Sequence, residues 1–312
     1  MAILFIISVA VHYRYILGVF LAILCGAINN AGVLLQKKVV NEVPPEFRGK
    51  GFMLRLLKNP LWLFGLFLQV GVGMAAFVAA QALIGPALVP GLMASGLIVL
   101  ALGSVKLIGE SLRSAEYAGI FLMIAGIALL GLSGLEISVE VVRGSLAASP
   151  VFVRIVVFTA AMILFWGVMH LWSLSSVKRK GIIMGFSNGF LFSLSNFWVS
   201  PMVAVITLVL AGKGDLGQTI IFALACVILV GSNVIAFSQI NYAFKFGQAS
   251  NIIPVQQISV QITPVLVYFL VFRLTPPKTI SGVFIVSGAA LIILAGFLLG
   301  RRQSKLEKIP SS

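Results

Sequence analysis

Five residues between 250 and 264 have the types and spacing to act together. Ser250, Pro254, Gln257, Gln261 and Pro264 fall at i, i+4, i+7, i+11 and i+14, so they share one stripe of an α-helix. Hydroxyls, amides and freed carbonyls bind a solute by hydrogen bonding or weak ligation. Each proline removes an N–H and frees a carbonyl one turn earlier, which a bilayer tolerates only where protein groups or water satisfy it. The helix is therefore expected to line a cavity or a tight polar interface, with interhelical hydrogen bonding as the plainer alternative for any single amide. Pro254 and Pro264, with Pro90 in a matching segment, are the expected gating points or helix breaks.

Other segments offer matching faces. Gly26, Asn29, Val33 and Gln36 align on one helix, with Asn30 and Lys37 adjacent; Gly185, Asn188, Phe192 and Ser195 align on another, with Asn196 adjacent; Asn233, Phe237 and Asn241 align on a third. The substrate-binding candidates are thus Asn29, Asn30, Asn188, Asn196, Asn233, Asn241, Ser250, Gln257 and Gln261. Gln256, about 100° from Gln257 around the helix, is expected to matter less. The eight acidic residues all lie at segment ends or in loops. That disfavours a carboxylate proton relay and a highly charged cation cage, because hard cations such as Mg²⁺ usually recruit carboxylates. Lys37, Lys106, Lys245 and Arg273 could meet an anionic group, although snorkelling at segment ends explains each of them. His170 has no second His or Cys beside it, so no metal ligand set is assigned. No spaced Ser/His/Asp set or Walker loop is present, so neither an enzyme nor a cofactor is expected.

The elements that must position these residues follow from composition. With 60% hydrophobic and only 10% charged residues, against about 25% charged in soluble domains, the chain reads as an all-α polytopic membrane protein. Its apolar runs reach the roughly 20 residues needed to cross a bilayer. Nine spans are expected, near 15–37, 60–83, 86–108, 115–134, 150–174, 181–210, 218–244, 248–272 and 279–300. The opening "MAILFIISVAV" is too short to span and lacks a basic start, so it reads as an interfacial extension or an overlong first helix; whether residues 1–11 are retained is left open. Cys25 and Cys226 lie inside apolar runs and read as small buried hydrophobes. A net charge of +14 would suggest nucleic acid in a soluble chain, but these basic residues cluster between spans, where they set orientation. Lys and Arg concentrate in the loops after spans 1, 3, 5 and 7 and in the C-terminal tail. That places the N-terminus outside and the C-terminus in the cytoplasm of a multi-pass protein of the cell membrane, with Lys178-Arg179-Lys180 as a topology anchor.

An internal repeat organises the spans. "GIFLMIAGIALL" (Gly119 to Leu130) resembles "GVFIVSGAALII" (Gly282 to Ile293), Gly26-Ala-Ile-Asn29 is echoed by Gly185-Phe-Ser-Asn188, and Ala79 and Ala243 each stand eleven residues before a proline, Pro90 and Pro254. Five spans separate each helix from its partner, so the second copy is inverted, as in many secondary transporters. The expected division is 1–134 (spans 1 to 4), 135–180 (linker with span 5), 181–300 (spans 6 to 9) and 301–312 (a basic cytoplasmic tail).

"LLQKKVV", "LKNPLWLFG", "ALVPGL", "LIGESLRSAEYAGIFLMIAGIALL" and "SQINYAF…ASNIIPV" resemble the drug/metabolite transporter superfamily, and in particular its magnesium-transporter branch, the NIPA family. The resemblance implies inverted-repeat packing, alternating access, no covalent catalysis, and Mg²⁺ or another divalent cation as solute. It also implies an acidic residue and an asparagine on span 2 where this chain has Gly73 and Ala76, so an EamA-type transporter of a small polar metabolite stays a competitor. A non-transporting membrane scaffold is the reading from another class. Expected partners are a small-molecule or ion substrate and the lipid bilayer, with a homodimer left open and nucleic acid not expected.

Overall fold

A computed structural model describes residues 2–49, 51–84, 89–135, 137, 139–146, 149–176 and 179–306. Among the described residues every regular element is helical. Eight helices are long and apolar enough to cross a membrane, and a shorter apolar stretch, Gly96–Ile108, lies where the third span is expected. Helix α1 runs from Ala2 to Glu42, so the apolar opening continues into the first span without a break. The short α2 (Phe52–Leu57) precedes α3 (Pro60–Phe67), which Asn59 caps by accepting the N–H groups of Leu61 and Trp62. A π-helical turn, Leu68–Gly73, joins α3 to α4 (Met74–Ile84).

The continuous third span expected over 86–108 does not form as one helix. Its first residues, 86–88, lie outside the described residues, and the rest divides into α5 (Val89–Met93), α6 (Gly96–Gly103) and a π-turn at Ser104–Ile108. The break at 94–95 lies against α1. A Cβ on Gly96 would collide with the carbonyl of Gly26, and one on Gly26 with the carbonyl of Met93. The two backbones touch there, and the chain tightens into three-residue turns, with Leu97 N donating to Ala94 O and Ser95 Oγ to Leu92 O. Pro90 lies inside α5, four residues before that turn.

The remaining helices are α7 (Ser114–Leu132), α8 (Val139–Leu146), α9 (Ser149–Ser175), α10 (Lys180–Leu210), α11 (Leu216–Ala243), α12 (Ala249–Leu266) with a π-turn at Val267–Val271, and α13 (Thr279–Leu306). Helix α12 stays α-helical through both Pro254 and Pro264, and regular geometry is lost only at the π-turn. The basic tail expected from 301 begins inside α13; Lys178 and residues 307–312 lie outside the described residues.

The chain forms two compact units. One holds residues 1–134, 248–254 and 277–302, the other 135–247, 255–276 and 303–312. In the first, the contacts Asn29 with Gly73, Gly32 with Gly65 and Gln69, and Gln36 with Gly65 make α1 antiparallel to the α3–α4 helix. In the second, the pairs Ser187 with Gln239, Asn188 with Ala236, Phe192 with Phe237 and Ser195 with Asn233 make α10 antiparallel to α11. Each opening helix then crosses the third of its set at glycine: α1 meets α5 and α6 at Gly26, and α10 meets α12 at Gly189, where a Cβ would collide with the carbonyl of Gln256.

Two further features join the sequence matches to geometry. The third helix of each set ends in a five-residue π-turn, at 104–108 and at 267–271, a shift of 163 residues. A residue with left-handed backbone follows each turn, Gly109 (φ 75°) and Arg273 (φ 53°). The matched segments Gly119–Leu130 and Gly282–Ile293 also pack on one another within the first unit. Gly119 faces Leu299, Gly126 faces Ile292 and Gly288, and Leu130 faces Gly288, so α7 and α13 run antiparallel. A Cβ added at Gly126 or at Gly288 would lie 2.8 Å from the other's carbonyl oxygen. Two similar sequences thus run in opposite directions about a shared glycine contact.

Candidate functional site

Unit two carries a buried amide network on α9, α10, α11 and α12. Gln239 is its hub. Its Oε1 accepts from Trp166 Nε1 at 3.1 Å and faces Asn188 Nδ2 at 3.5 Å, while its Nε2 donates to Ser187 Oγ at 2.8 Å and meets His170 Nδ1 at 3.0 Å. An indole N–H can only donate, so Trp166 fixes which end of the Gln239 amide is oxygen, and His170 must accept at Nδ1. Asn188, fully buried, donates to Ala236 O at 2.7 Å and accepts from Gln256 Nε2 at 2.9 Å. Ser193 and Ser259 complete the α10–α12 crossing, Ser193 Oγ donating to Ser259 O and Ser259 Oγ to Phe186 O. In low dielectric a satisfied network of this kind rigidifies the helices it joins.

The aligned faces expected on spans 6 and 7 meet each other. Asn233 Nδ2 donates to Ser195 Oγ at 2.6 Å, Phe192 packs edge-on against Phe237, and Asn241 donates to Phe237 O one turn back along its own helix. Asn196 is exposed and joins none of these contacts. On α12 the stripe divides. Gln257 and Gln261 are half-buried and bonded to each other, Gln261 Nε2 to Gln257 Oε1 at 3.1 Å, Pro264 is exposed, and Ser250 is fully buried. Gln256, on the neighbouring face, is the glutamine that reaches Asn188.

Unit one carries two polar groups. Near the middle of α1, Cys25 Sγ donates to Gly73 O at 3.1 Å, Asn29 Nδ2 contacts Cys25 Sγ at 3.4 Å, and Asn30 donates to Gly26 O at 2.9 Å. Gly73 stands where the family resemblance implies an acidic residue, and a Cβ there would run into Asn29 Oδ1. The glycine lets α1 and the α3–α4 helix approach, and the space a carboxylate would need is filled by Asn29.

The second group lies at the helix ends. Glu110, buried just past the π-turn, accepts from Ala249 N at 2.8 Å, Ser250 N at 3.2 Å and Ser250 Oγ at 2.6 Å. Glu116 accepts from Asn251 Nδ2 at 2.9 Å and, through its other oxygen, from Arg113 N at 2.8 Å. Lys37 is buried within the electrostatic reach of Glu110. Among the described residues no three His, Cys, Asp or Glu side chains gather as a metal-ligand set. Spacing along the sequence singles out Ser250 but not its partner Glu110 or the Glu116–Asn251 pair, and it misses Gln239, Ser187 and Trp166. The only sequence signal for Glu110 is its place in the resemblance-bearing run "LIGESLRSAEY".

A comparison with protein families matches residues 13–305 to the magnesium transporter NIPA family. The chain belongs to the NIPA family of magnesium transporters. It is a multi-pass membrane protein of a transporter family. Comparisons with curated proteins and with solved structures return no match.

Proposed function

We propose that the protein carries Mg²⁺ or another divalent cation across the cell membrane by alternating access between its two inverted repeats. The match to the NIPA family over residues 13–305 carries this reading. The repeated helix crossings and π-turns support the mechanism, because two sets of spans with the same internal packing can exchange roles. Gln257 and Gln261 are the proposed contacts to the solute, since their half-buried amides bond to one another along one face of α12, whereas Asn188 and Asn233 are committed to helix crossings. Amides and carbonyls with no carboxylate beside them would hold a hydrated cation, a weak mode that suits Mg²⁺, which gives up its waters reluctantly.

One observation favours a second reading. With Asn29 filling the space beside Gly73, the span-2 carboxylate has no replacement, and a small polar metabolite moved by an EamA-type relative needs none. Purified protein in liposomes loaded with a Mg²⁺ indicator separates the two. Saturable uptake above protein-free vesicles supports the cation, and uptake of a neutral or zwitterionic solute with Mg²⁺ at background supports the metabolite. The one-sided distribution of Lys and Arg supports an extracellular N-terminus and a cytoplasmic C-terminus. An impermeant thiol reagent should therefore fail to label Ser311→Cys in intact cells and label it after permeabilisation.

A further inference from the structure

We propose that Glu110 is the latch of a gate on the first turn of α12, with Pro254 as the hinge of the helix it holds, an inference that rests on the alternating-access reading above. Glu110 is a positioning residue in this scheme. It holds the helix and does not contact the solute.

The first N–H groups of any helix lack partners within it and are usually satisfied by a side chain immediately before the helix. In α12 the N–H groups of Ala249 and Ser250 are capped by a carboxylate 139 and 140 residues away in the chain. A local cap moves with its helix, whereas a remote cap holds only while two elements stay together. Its bonds are also strong ones: a carboxylate at a helix N-terminus meets the positive end of the helix dipole, and ionised acceptors give short, charge-assisted bonds. The hydroxyl bond from Ser250 at 2.6 Å fits that description. Glu116 holds the next residue, Asn251.

The hinge follows from where the helix changes company. Residues 248–254 cluster with unit one and residues 255–276 with unit two, although α12 is continuous across the boundary. The boundary falls at Pro254, which lacks the N–H that would bond the carbonyl of Ser250. The latched turn is therefore separated from the rest of α12 by a proline that removes one helical hydrogen bond. In the second repeat the chain leaving the corresponding π-turn reads Phe272-Arg273-Leu274-Thr275, with no carboxylate. The same cap cannot form there, so the latch favours closure at one end only.

Amide hydrogen exchange of the purified full-length protein in nanodiscs reads the latch without any substrate. Glu110→Gln should raise exchange at the Ala249 and Ser250 amides by about tenfold, the scale of a lost charge-assisted hydrogen bond, with α10 and α13 exchanging as in wild type. Ser250→Ala, which removes only the hydroxyl bond, should raise it less. A gate also predicts the opposite response at the hinge: Pro254→Ala returns a backbone bond to the Ser250 carbonyl and should slow exchange at the same two amides, a change to which a static cap is indifferent. Unchanged exchange in Glu110→Gln overturns the latch, and unchanged exchange in Pro254→Ala overturns the gate. If Glu110→Gln does not fold, unchanged exchange in Ser250→Ala overturns the latch in its place. A wild-type protein that moves no Mg²⁺ would refute the proposed solute while leaving these comparisons to decide the latch.

Discussion

The crossing of α1 with the α3–α4 helix and the crossing of α10 with α11 occupy corresponding places in the two repeats, yet different forces hold them. The first is a backbone contact. Gly32 and Gly65 face each other, Gly73 admits Asn29, and Gly26 and Gly96 bring α1 against the break between α5 and α6. The second is a side-chain contact in which Gln239, Asn188, Ser187 and Trp166 exchange hydrogen bonds. Lipid gives little hydrophobic drive for helices to associate, so membrane helices rely on close packing of small residues or on polar bonds between helices. The two crossings use different devices, so the topology does not prescribe the chemistry of the contact.

The contrast can be broken at the glycines with the largest effect. Gly26→Leu must push apart backbones already in contact, and overpacking of this kind costs about 3 kcal/mol or more. Folded, monodisperse protein should be largely lost, whereas Gly231→Ala, with nothing within 4 Å of its Cβ, should melt within experimental error of wild type. Gly73→Asp tests, with a charge, the crossing of α1 with the α3–α4 helix. Its Cβ meets Asn29, and an unpaired carboxylate near a helix centre costs roughly 2.5–3.5 kcal/mol on insertion scales, so thermal stability should fall clearly. Adding Asn29→Ala opens the space and should recover part of the loss. If the solute is Mg²⁺, the double variant should also bind it more tightly than wild type.

At the polar crossing the expected effect is smaller. Gln239→Leu strands the Trp166 indole N–H and removes the bonds to Ser187 and His170, and a buried unsatisfied group costs about 1–3 kcal/mol. The melting temperature should drop by several degrees without loss of fold. A drop as large as that of Gly26→Leu would show that the two crossings do not differ in kind. Gln257→Leu should change stability least, by about 0.5 kcal/mol or less, as for substitutions away from packed or networked groups. Its effect should be on uptake, separating a solute contact from a structural bond.

Much of this was legible in the sequence, and the limits have physical reasons. The spans follow from apolar runs of membrane length. The likeness of α7 to α13 could be read because both use similar residues around their shared glycine contact. The third span could not be placed fully, since hydropathy is blind to the close approach of α1 and α6 at Gly26 and Gly96, beside which the span is broken. Helical spacing groups residues on faces but does not say which face meets another helix. It separates Gln256 from Gln257 correctly as neighbours on different sides, but cannot reveal that Gln256 reaches Asn188. Glu110 lies at a span end, where a carboxylate costs little and draws no notice, and its bond to Ser250 joins positions 140 residues apart.

Uptake by the purified protein in liposomes containing a Mg²⁺ indicator, with wild type and Gln257→Leu side by side, tests the central claim most directly. Saturable Mg²⁺ entry in wild type, lost in a Gln257→Leu variant that melts like wild type, is the predicted result. Folded wild-type protein that leaves Mg²⁺ at the level of empty vesicles would contradict it.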